Sequence, residues 1–192
     1  MNVADFAASS NKTKKSFRDA ASRLGNLFVE NNITAVYGGG GMGLMGDLAD
    51  AMLQRDGKII GVIPRFMVNE GWGHQDVTDM IVTETMSERK DKIFEISDAV
   101  VARPGGIGTL EELSQAITQK QLSLWNGPIV WINTNGFYDN LIAHFENMMS
   151  ENLMSRQQGG MWDIVDTPEE AINAILNYKE SDKEWRKIAK IG

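Results

Sequence analysis

Short runs of β-branched residues alternate with longer segments of helical periodicity along the whole chain, and this alternation constrains the fold most. Seven runs are predicted to be strands, at residues 3–8, 33–37, 58–63, 80–84, 99–102, 128–133 and 162–165. The clearest predicted helix covers residues 14–30, where apolar side chains share one stripe and Gly25 is tolerated. Because such alternation produces right-handed crossovers between parallel strands, residues 1–192 are expected to form a single α/β domain. The expected architecture is doubly wound and Rossmann-like, with a mostly parallel sheet covered by helices on both faces.

Composition excludes several classes of function. The formal net charge of -7 provides no general attraction for polyanions, so neither nucleic acid nor an anionic membrane is expected as a principal partner. The chain has no cysteine, which excludes disulfides, thiolate nucleophiles and cysteine-bound zinc, and fits a reducing compartment. No apolar stretch approaches the roughly 20 residues that span a bilayer, and no signal peptide is recognised, so a cytoplasmic protein is expected.

Only two histidines are present, which leaves few members for a metal site or an imidazole-based triad. His74 lies in a polar, glycine-rich stretch and is expected to be a surface residue. His144 lies on an apparent amphipathic helix and is expected to be packed or at its rim. No metal site is predicted, and the chemistry is expected to depend on carboxylates, arginine, hydroxyls and backbone groups.

Ligands of doubly wound sheets bind beyond the carboxyl ends of the strands, which restricts the search to five loops. These loops cover residues 9–11, 38–46, 64–76, 85–90 and 104–109. In the last of them a Pro-Gly-Gly-x-Gly turn precedes a predicted helix start, a combination that lets backbone N–H groups approach a phosphate closely. A phosphorylated small molecule is therefore expected as the ligand.

The glycine loop at residues 38–46 leaves alternatives open. It matches G-x-G-x-x-G, and Arg65 after the next strand would suit the 2′-phosphate of NADP, although a tight strand-to-helix turn explains the glycines equally well. No lysine follows either glycine loop as a Walker A motif requires. The helical spacing of Met42, Met45 and Met52 predicts core residues rather than a cofactor site.

Two further motifs have a structural alternative to a functional role. Thr109 and Glu112 have the spacing of a capping box at a helix start. Adjacent helical residues diverge by about 100°, so only one of Glu111 and Glu112 is expected to face a pocket. The alternating charges of residues 87–92 are typical of a solvated helix face, but Arg89 would lie close to the loop at residues 9–11 if the first and fourth strands were neighbours.

Five motifs follow one another along the chain: Tyr37-Gly38-Gly39-Gly40, Gly43-Leu44-Met45-Gly46, Gly61-Val62-Ile63-Pro64, Met86-Ser87-Glu88-Arg89-Lys90 and Pro104-Gly105-Gly106-Ile107-Gly108-Thr109-Leu110-Glu111-Glu112. In this order they resemble the Lonely Guy family of cytokinin riboside 5′-monophosphate phosphoribohydrolases. The resemblance covers nearly the whole chain. It implies hydrolysis of the N-glycosidic bond of an adenine nucleotide monophosphate, often N6-substituted, without a cofactor and in a homodimer.

The resemblance also implies which residues form the site. Arg89 and Glu112 correspond to the catalytic pair. Residues expected to bind substrate are Ser9, Ser10, Gly39, Gly40, Gly43, Glu70, Met86, Lys90, Gly105, Gly106, Gly108, Thr109 and Thr118. Many members are labelled lysine decarboxylases, but no lysine here has the context of a pyridoxal Schiff base.

The chain departs from the family pattern at several positions. Arg103 replaces a small aliphatic residue before Pro104 and is expected to add charge near the phosphate or to contact another subunit. Asp5 interrupts an otherwise apolar first strand, and Ala8 replaces a frequent glycine. A non-catalytic nucleotide-binding or carrier module and an NADP oxidoreductase remain as alternative functions, and the N6 substituent is left open.

Overall fold

A computed structural model describes residues 1–77, 79–179 and 185–188. Its strands are β1 Asn2–Phe6, β2 Thr34–Tyr37, β3 Ile59–Pro64, β4 Asp79–Thr83, β5 Ala99–Ala102, β6 Ile129–Ile132 and β7 Asp163–Val165. Its helices are α1 Lys15–Glu30, α2 Gly43–Leu53, α3 Arg65–Asn69, α4 Met86–Glu95, α5 Ile107–Gln121, α6 Asp139–Ser150, α7 Pro168–Leu176 and α8 Trp185–Ile188. Two short 3₁₀ turns, Thr134–Gly136 and Arg156–Met161, complete the described elements. All seven predicted strands are confirmed, and the helix predicted at residues 14–30 begins one residue later.

The seven strands form one parallel sheet in the order β4-β3-β2-β1-β5-β6-β7. Apolar clusters pack on both of its faces: Phe28 and Tyr37 belong to one, Phe6 and Trp131 to the other. Strand β5 is completely buried, which explains its uninterrupted apolar run. The predicted doubly wound α/β architecture is confirmed.

The chain reverses its direction of winding at β1, because β2 pairs on one side of it and β5 on the other. The loops after β1 and β5 therefore meet at the carboxyl edge of the sheet, where such folds bind ligands. Strand β4 pairs with β3 at the sheet edge, so the suggestion that the first and fourth strands are neighbours is wrong.

Helix α1 packs closely on α2, and Gly25 lies at their contact. A Cβ at this position would lie 2.8 Å from the carbonyl oxygen of Leu48 and 3.1 Å from the Cβ of Ala51. Close approach of the two helices therefore accounts for a glycine inside an otherwise regular helix.

The charged sequence of residues 179–190, with Trp185 and Ile188 on one side, predicts a solvated helix that packs through these two residues. Helix α8 places both side chains against the apolar cluster that contains Trp131, and Trp185 is buried. Lys179 is not helical, and residues 180–184 and 189–190 of that predicted helix lie outside the described residues. Across the described residues, none of the helices combines the length and apolarity that a bilayer crossing requires.

Candidate active site at the carboxyl edge of the sheet

A cavity of about 360 Å³ opens at the carboxyl edge of the sheet. All five predicted loops contribute to its lining, together with the beginnings of α4 and α5. The lining residues are Ala7, Ser9, Gly38, Gly40, Met42, Met45, Ile63, Met67, Trp72, Met86, Arg89, Gly108, Thr109, Glu111 and Glu112. The restriction to post-strand loops thus locates the cavity.

Arg89 and Glu112 meet inside this cavity. The Arg89 Nη1 group donates a hydrogen bond to Glu112 Oε1 at 2.7 Å, and Arg89 Nε donates to the Val62 carbonyl oxygen at 3.0 Å. Each side chain keeps less than a tenth of its surface exposed. Helix α4 supplies the cation and α5 the carboxylate, so two separate helices hold the pair in register.

Gly38 makes room for this arrangement. A Cβ at position 38 would overlap Nη2 of Arg89 and lie 3.3 Å from its Cζ. The guanidinium therefore packs against the bare backbone at the end of β2, a constraint that the glycine pattern did not reveal.

Burial controls the electrostatics of Glu112. Desolvation raises the pKa of the Glu112 carboxyl, and the neighbouring Arg89 cation lowers it by a smaller amount, so the net direction is upward. A buried carboxyl with a raised pKa exchanges protons closer to neutral pH, which is useful to a general acid or base.

The turn before α5 has the features of an anion site. The helix begins at Ile107 after an extended Gly106, and no side chain caps its first N–H groups. The capping box proposed for Thr109 and Glu112 is therefore wrong: Thr109 is already the third helical residue, and its buried side chain packs where a Cβ on Gly105 would lie. The helix start instead leaves its amides available to a ligand.

Seven of the thirteen residues expected to bind substrate line the cavity or form the turn before α5. Ser9, Gly40, Met86, Gly108 and Thr109 line the cavity. Gly105 and Gly106 form the turn, and Ser10 follows Ser9 on the exposed loop.

Two of the expected glycines have a conformational role instead. Gly39 and Gly43 both have a positive φ, and a Cβ at Gly43 would lie 2.5 Å from the Ser9 carbonyl carbon. The amide of Gly43 donates to Asn11 Oδ1 at 2.7 Å, which fixes the loop after β1 on the start of α2.

Three expected substrate residues lie away from the cavity. Lys90 is paired with Glu111 and faces a shallow groove between α4 and α5. Thr118 lies in the same groove and donates its hydroxyl to the Ser114 carbonyl oxygen at 2.8 Å. Glu70 is exposed at the end of α3 and contributes to neither the cavity nor this groove.

Several lining residues were missed. Met42 is exposed at the cavity, so the prediction that it is a core residue is wrong. Met45 borders the cavity and also packs against the apolar core, and Met52 is fully buried in the core as predicted. Met67 lies on the short helix α3 and Trp72 on the loop after it, and no sequence pattern predicted the conformation of either. Glu111 and Glu112 diverge as expected, but Glu111 still reaches the cavity rim, so the prediction that only one faces the pocket is too strict.

Neither histidine lies where the sequence suggested. The His74 side chain is only 7% exposed: its Nδ1 accepts the Asp76 N–H at 3.2 Å and its Nε2 faces Asp50 Oδ1 at 3.2 Å. His74 thereby fixes the loop that carries Trp72. His144 is exposed on α6, in contrast to its expected packed position.

The NADP alternative loses its main support. Arg65, expected to suit a 2′-phosphate, donates from Nε to Glu84 Oε1 at 2.8 Å on the surface. The glycine loop also follows β2 rather than the first strand, as the structure confirms.

Comparison with known proteins shows the family of the chain. A family model described as "Possible lysine decarboxylase" matches residues 45–175. The cytokinin riboside 5′-monophosphate phosphoribohydrolase LOG3 of Arabidopsis thaliana is 34% identical over 173 residues, which are 90% of this chain and 80% of that protein. The chain belongs to the Lonely Guy family. Another family member, LOG2 of the same plant, is 36% identical over 150 residues, 78% of this chain and 70% of its own length.

Solved structures show the same fold at lower identity. A molybdenum cofactor binding protein from Rippkaea orientalis superposes with a TM-score of 0.67 at 21% identity and covers 91% of this chain and 93% of its own. The molybdenum cofactor carrier protein of Chlamydomonas reinhardtii gives a TM-score of 0.68 at 19% identity, over 91% of this chain and 95% of its own. At these identities the likeness concerns the fold alone.

The description of the family model as a decarboxylase does not fit the cavity. Pyridoxal chemistry requires a lysine that forms a Schiff base beside the bound ring. Among the described residues that line the cavity there is no lysine.

Proposed function

We propose that this Lonely Guy protein hydrolyses the N-glycosidic bond of adenine-type nucleoside 5′-monophosphates, giving the free base and ribose 5-phosphate. AMP and N6-substituted AMP, such as a cytokinin riboside monophosphate, are the proposed substrates. The observation that carries the proposal is the buried contact of Arg89 with Glu112, in a cavity that also borders the uncapped start of α5.

The pair provides what this reaction needs. Cleavage of a ribosyl C–N bond develops positive oxocarbenium character on the sugar, which a nearby carboxylate stabilises. In its ionised form Glu112 takes this role and also accepts a proton from the attacking water. Arg89 stabilises the negative charge that develops on the departing purine, and its bond to Val62 holds the guanidinium in place.

The anion-binding turn supplies remote binding energy. The start of α5 contributes roughly half a positive charge, and its free amides suit the 5′-phosphate. Since the chain carries a net charge of -7, this attraction has to be local. Phosphate held there orients the glycosidic bond toward Glu112.

The rest of the cavity suits a base. Its wall includes Met42, Met45, Met67 and Trp72, which offer apolar and polarisable surface to a purine and to an apolar N6 group. We also propose that the protein acts in the cytoplasm, in keeping with the absence of cysteine. We further propose a homodimer, in keeping with the exposed Leu122 and Leu124 beside the groove between α4 and α5.

Chromatographic assay of base release from AMP and from N6-isopentenyl-AMP tests the activity. Free base is expected from at least one nucleotide, and Glu112→Gln should reduce its rate about 10²- to 10⁴-fold without abolishing nucleotide binding. The exposed Glu95 on α4 offers a matched control, because Glu95→Gln makes the same chemical change outside the cavity. Intact nucleotide at high protein concentration would reject the hydrolase. Tight AMP binding without base release, and indifference to Glu112→Gln, would indicate the carrier module instead.

A further inference from the structure

Two residues that depart from the family pattern are partners of one another. Arg103 Nε donates to Asp5 Oδ1 at 2.7 Å, and Arg103 Nη2 donates to Asp5 Oδ2 at 2.5 Å. Both residues are 1% exposed. The expectation that Arg103 adds charge near the phosphate or at a subunit contact is therefore wrong: its side chain is directed into the protein.

Stability alone is a weak reason for such a pair. Removing two charges from water costs so much that well-packed apolar residues of similar volume often give an equal or greater stability. In this pair the Arg103 Nη1 group is buried and has no hydrogen-bond partner among the described residues, which adds to the cost. The fork of the guanidinium nevertheless makes one contact that an apolar side chain does not provide.

That contact closes a ring of hydrogen bonds around the site. Arg103 Nη2 also donates to the Leu44 carbonyl oxygen at 3.0 Å. The amide of Leu44 donates to the Ala8 carbonyl oxygen at 2.9 Å, and the amide of Ala8 donates to the Pro104 carbonyl oxygen at 3.2 Å. Pro104 follows Arg103 in the chain, so the ring joins the loop after β1, the start of α2 and the turn before α5.

These three segments are the ones that surround the proposed phosphate position. The loop after β1 carries Ser9, and the turn after Arg103 carries Gly105 and Gly106. The turn is also held from its other side, because the Tyr138 hydroxyl donates to the Arg103 carbonyl oxygen at 2.6 Å. Asp5 extends from β1 and fixes the direction of the guanidinium fork, since a bidentate pair allows little rotation.

We infer that Arg103 and Asp5 are positioning residues that hold the three loops in register for the 5′-phosphate of the substrate. The inference rests on the proposed function for the identity of that anion. Neither side chain touches the substrate; both act through the backbone of the loops that do.

Binding of AMP compared with adenosine tests this role, since the two ligands differ only in the phosphate. The measurement is isothermal titration in a Glu112→Gln background, so that neither ligand is consumed. The test variant combines Asp5→Val with Arg103→Met, which removes both charges together and leaves neither buried alone. We expect its melting temperature by circular dichroism to stay close to that of the parent, while its preference for AMP over adenosine falls about 10- to 100-fold.

A matched control is the exposed ion pair between α1 and α2. Arg18 donates to Asp47 at 2.6 Å outside the ring, so Arg18→Met should leave the preference unchanged. If the apolar pair fails to fold, Arg103→Lys is the second variant. It keeps the charge beside Asp5 but not the fork that reaches Leu44, and the same loss of preference is expected.

Three results would overturn the inference. The first is an equal loss of affinity for AMP and adenosine, which would show a general structural role. The second is an unchanged affinity for both ligands in the folded variant, and the third is no preference for AMP in the parent protein. Because titration records binding and not base release, failure of the proposed hydrolysis in the chromatographic assay is a separate result.

Discussion

A methyl group added at Gly38 should inactivate the protein without unfolding it. The Cβ of Gly38→Ala would overlap Nη2 of Arg89 and lie 3.3 Å from both the Cζ of Arg89 and the Sδ of Met45. Gly38 lacks a positive φ, so alanine is compatible with the backbone there. The substitution therefore acts on the position of the guanidinium and on little else.

The expected size of the effect follows from this geometry. Ordinary van der Waals contact requires about 3.5 Å, so the guanidinium must withdraw by about 1 Å or more. Arg89 is held by bonds of 2.7 Å to Glu112 and 3.0 Å to Val62, and such a shift breaks or distorts both. A misplacement of this size costs about 100-fold in rate, or roughly 2.7 kcal/mol of transition-state stabilisation.

Stability should change in the opposite direction. Alanine in place of glycine at a compatible position stabilises a protein by about 0.4–1 kcal/mol, because it restricts the unfolded chain. The assay is kcat/KM for base release from AMP, with thermal unfolding followed on the same samples. Gly159→Ala is the control, since its Cβ would find Met149 Sδ at an ordinary distance of 3.4 Å, away from the cavity.

Full activity of a folded Gly38→Ala variant would refute the reasoning. It would mean that Arg89 need not occupy the position against the glycine during catalysis. Loss of folding would equally contradict the claim that the methyl group meets only movable side chains.

Four further predictions concern pH and packing. Burial raises the pKa of Glu112, so the acidic limb of kcat/KM should lie above the ordinary glutamate value of about 4.3, as a pH–rate profile would show. For the same reason the free energy of unfolding should fall as pH rises through that raised pKa, and denaturant titrations of Glu112→Gln should lack this fall. Tyr138→Phe removes the buried bond to the Arg103 carbonyl oxygen and should cost about 1–2 kcal/mol in urea unfolding; an unchanged midpoint would contradict its importance. Gly25→Ala should lower the free energy of unfolding by about 1–3 kcal/mol although alanine has the better helix propensity, because the added Cβ meets the Leu48 carbonyl oxygen. A higher free energy of unfolding would show that α1 and α2 separate freely.

The sheet was largely predictable because its central strands are buried on both faces. Strand β5 is a continuous apolar run bounded by polar residues, and its predicted ends agree with the observed ones. The first strand was predicted two residues too long because Ala7 and Ala8 continue the apolar pattern. These residues leave the ladder, and Ala8 pairs with Pro104 and Leu44 instead, a choice made by loop contacts that local pattern does not contain.

The site was predictable in part. The family resemblance identified Arg89 and Glu112 as the expected catalytic pair. The structure brings their side chains into contact, although the two residues are 23 positions apart in the sequence. The order of the strands is not contained in the local sequence, so the supposed pairing of the first and fourth strands, which was the reason for placing Arg89 near the loop at residues 9–11, was wrong. The cavity itself lies at the expected post-strand loops. Asp5 and Arg103 were each recognised as exceptions. Their opposite charges, one inside the apolar run of β1 and one directly after that of β5, were the available sign that they belong together.

The loop that carries Trp72 rests on the glycine turn after β2 without any intervening side chain. Gly40 and Gly73 form an isolated antiparallel bridge, the Gly41 amide donates to the Trp72 carbonyl oxygen at 3.1 Å, and the His74 amide donates to the Gly39 carbonyl oxygen at 2.9 Å. One wall of the cavity is therefore attached to the floor by main-chain bonds, in which the cavity-facing side chain of Trp72 takes no part. Insertions or replacements in this loop could alter which bases are accepted while the reacting pair stays untouched, so substrate range and chemistry are open to independent evolution in this protein.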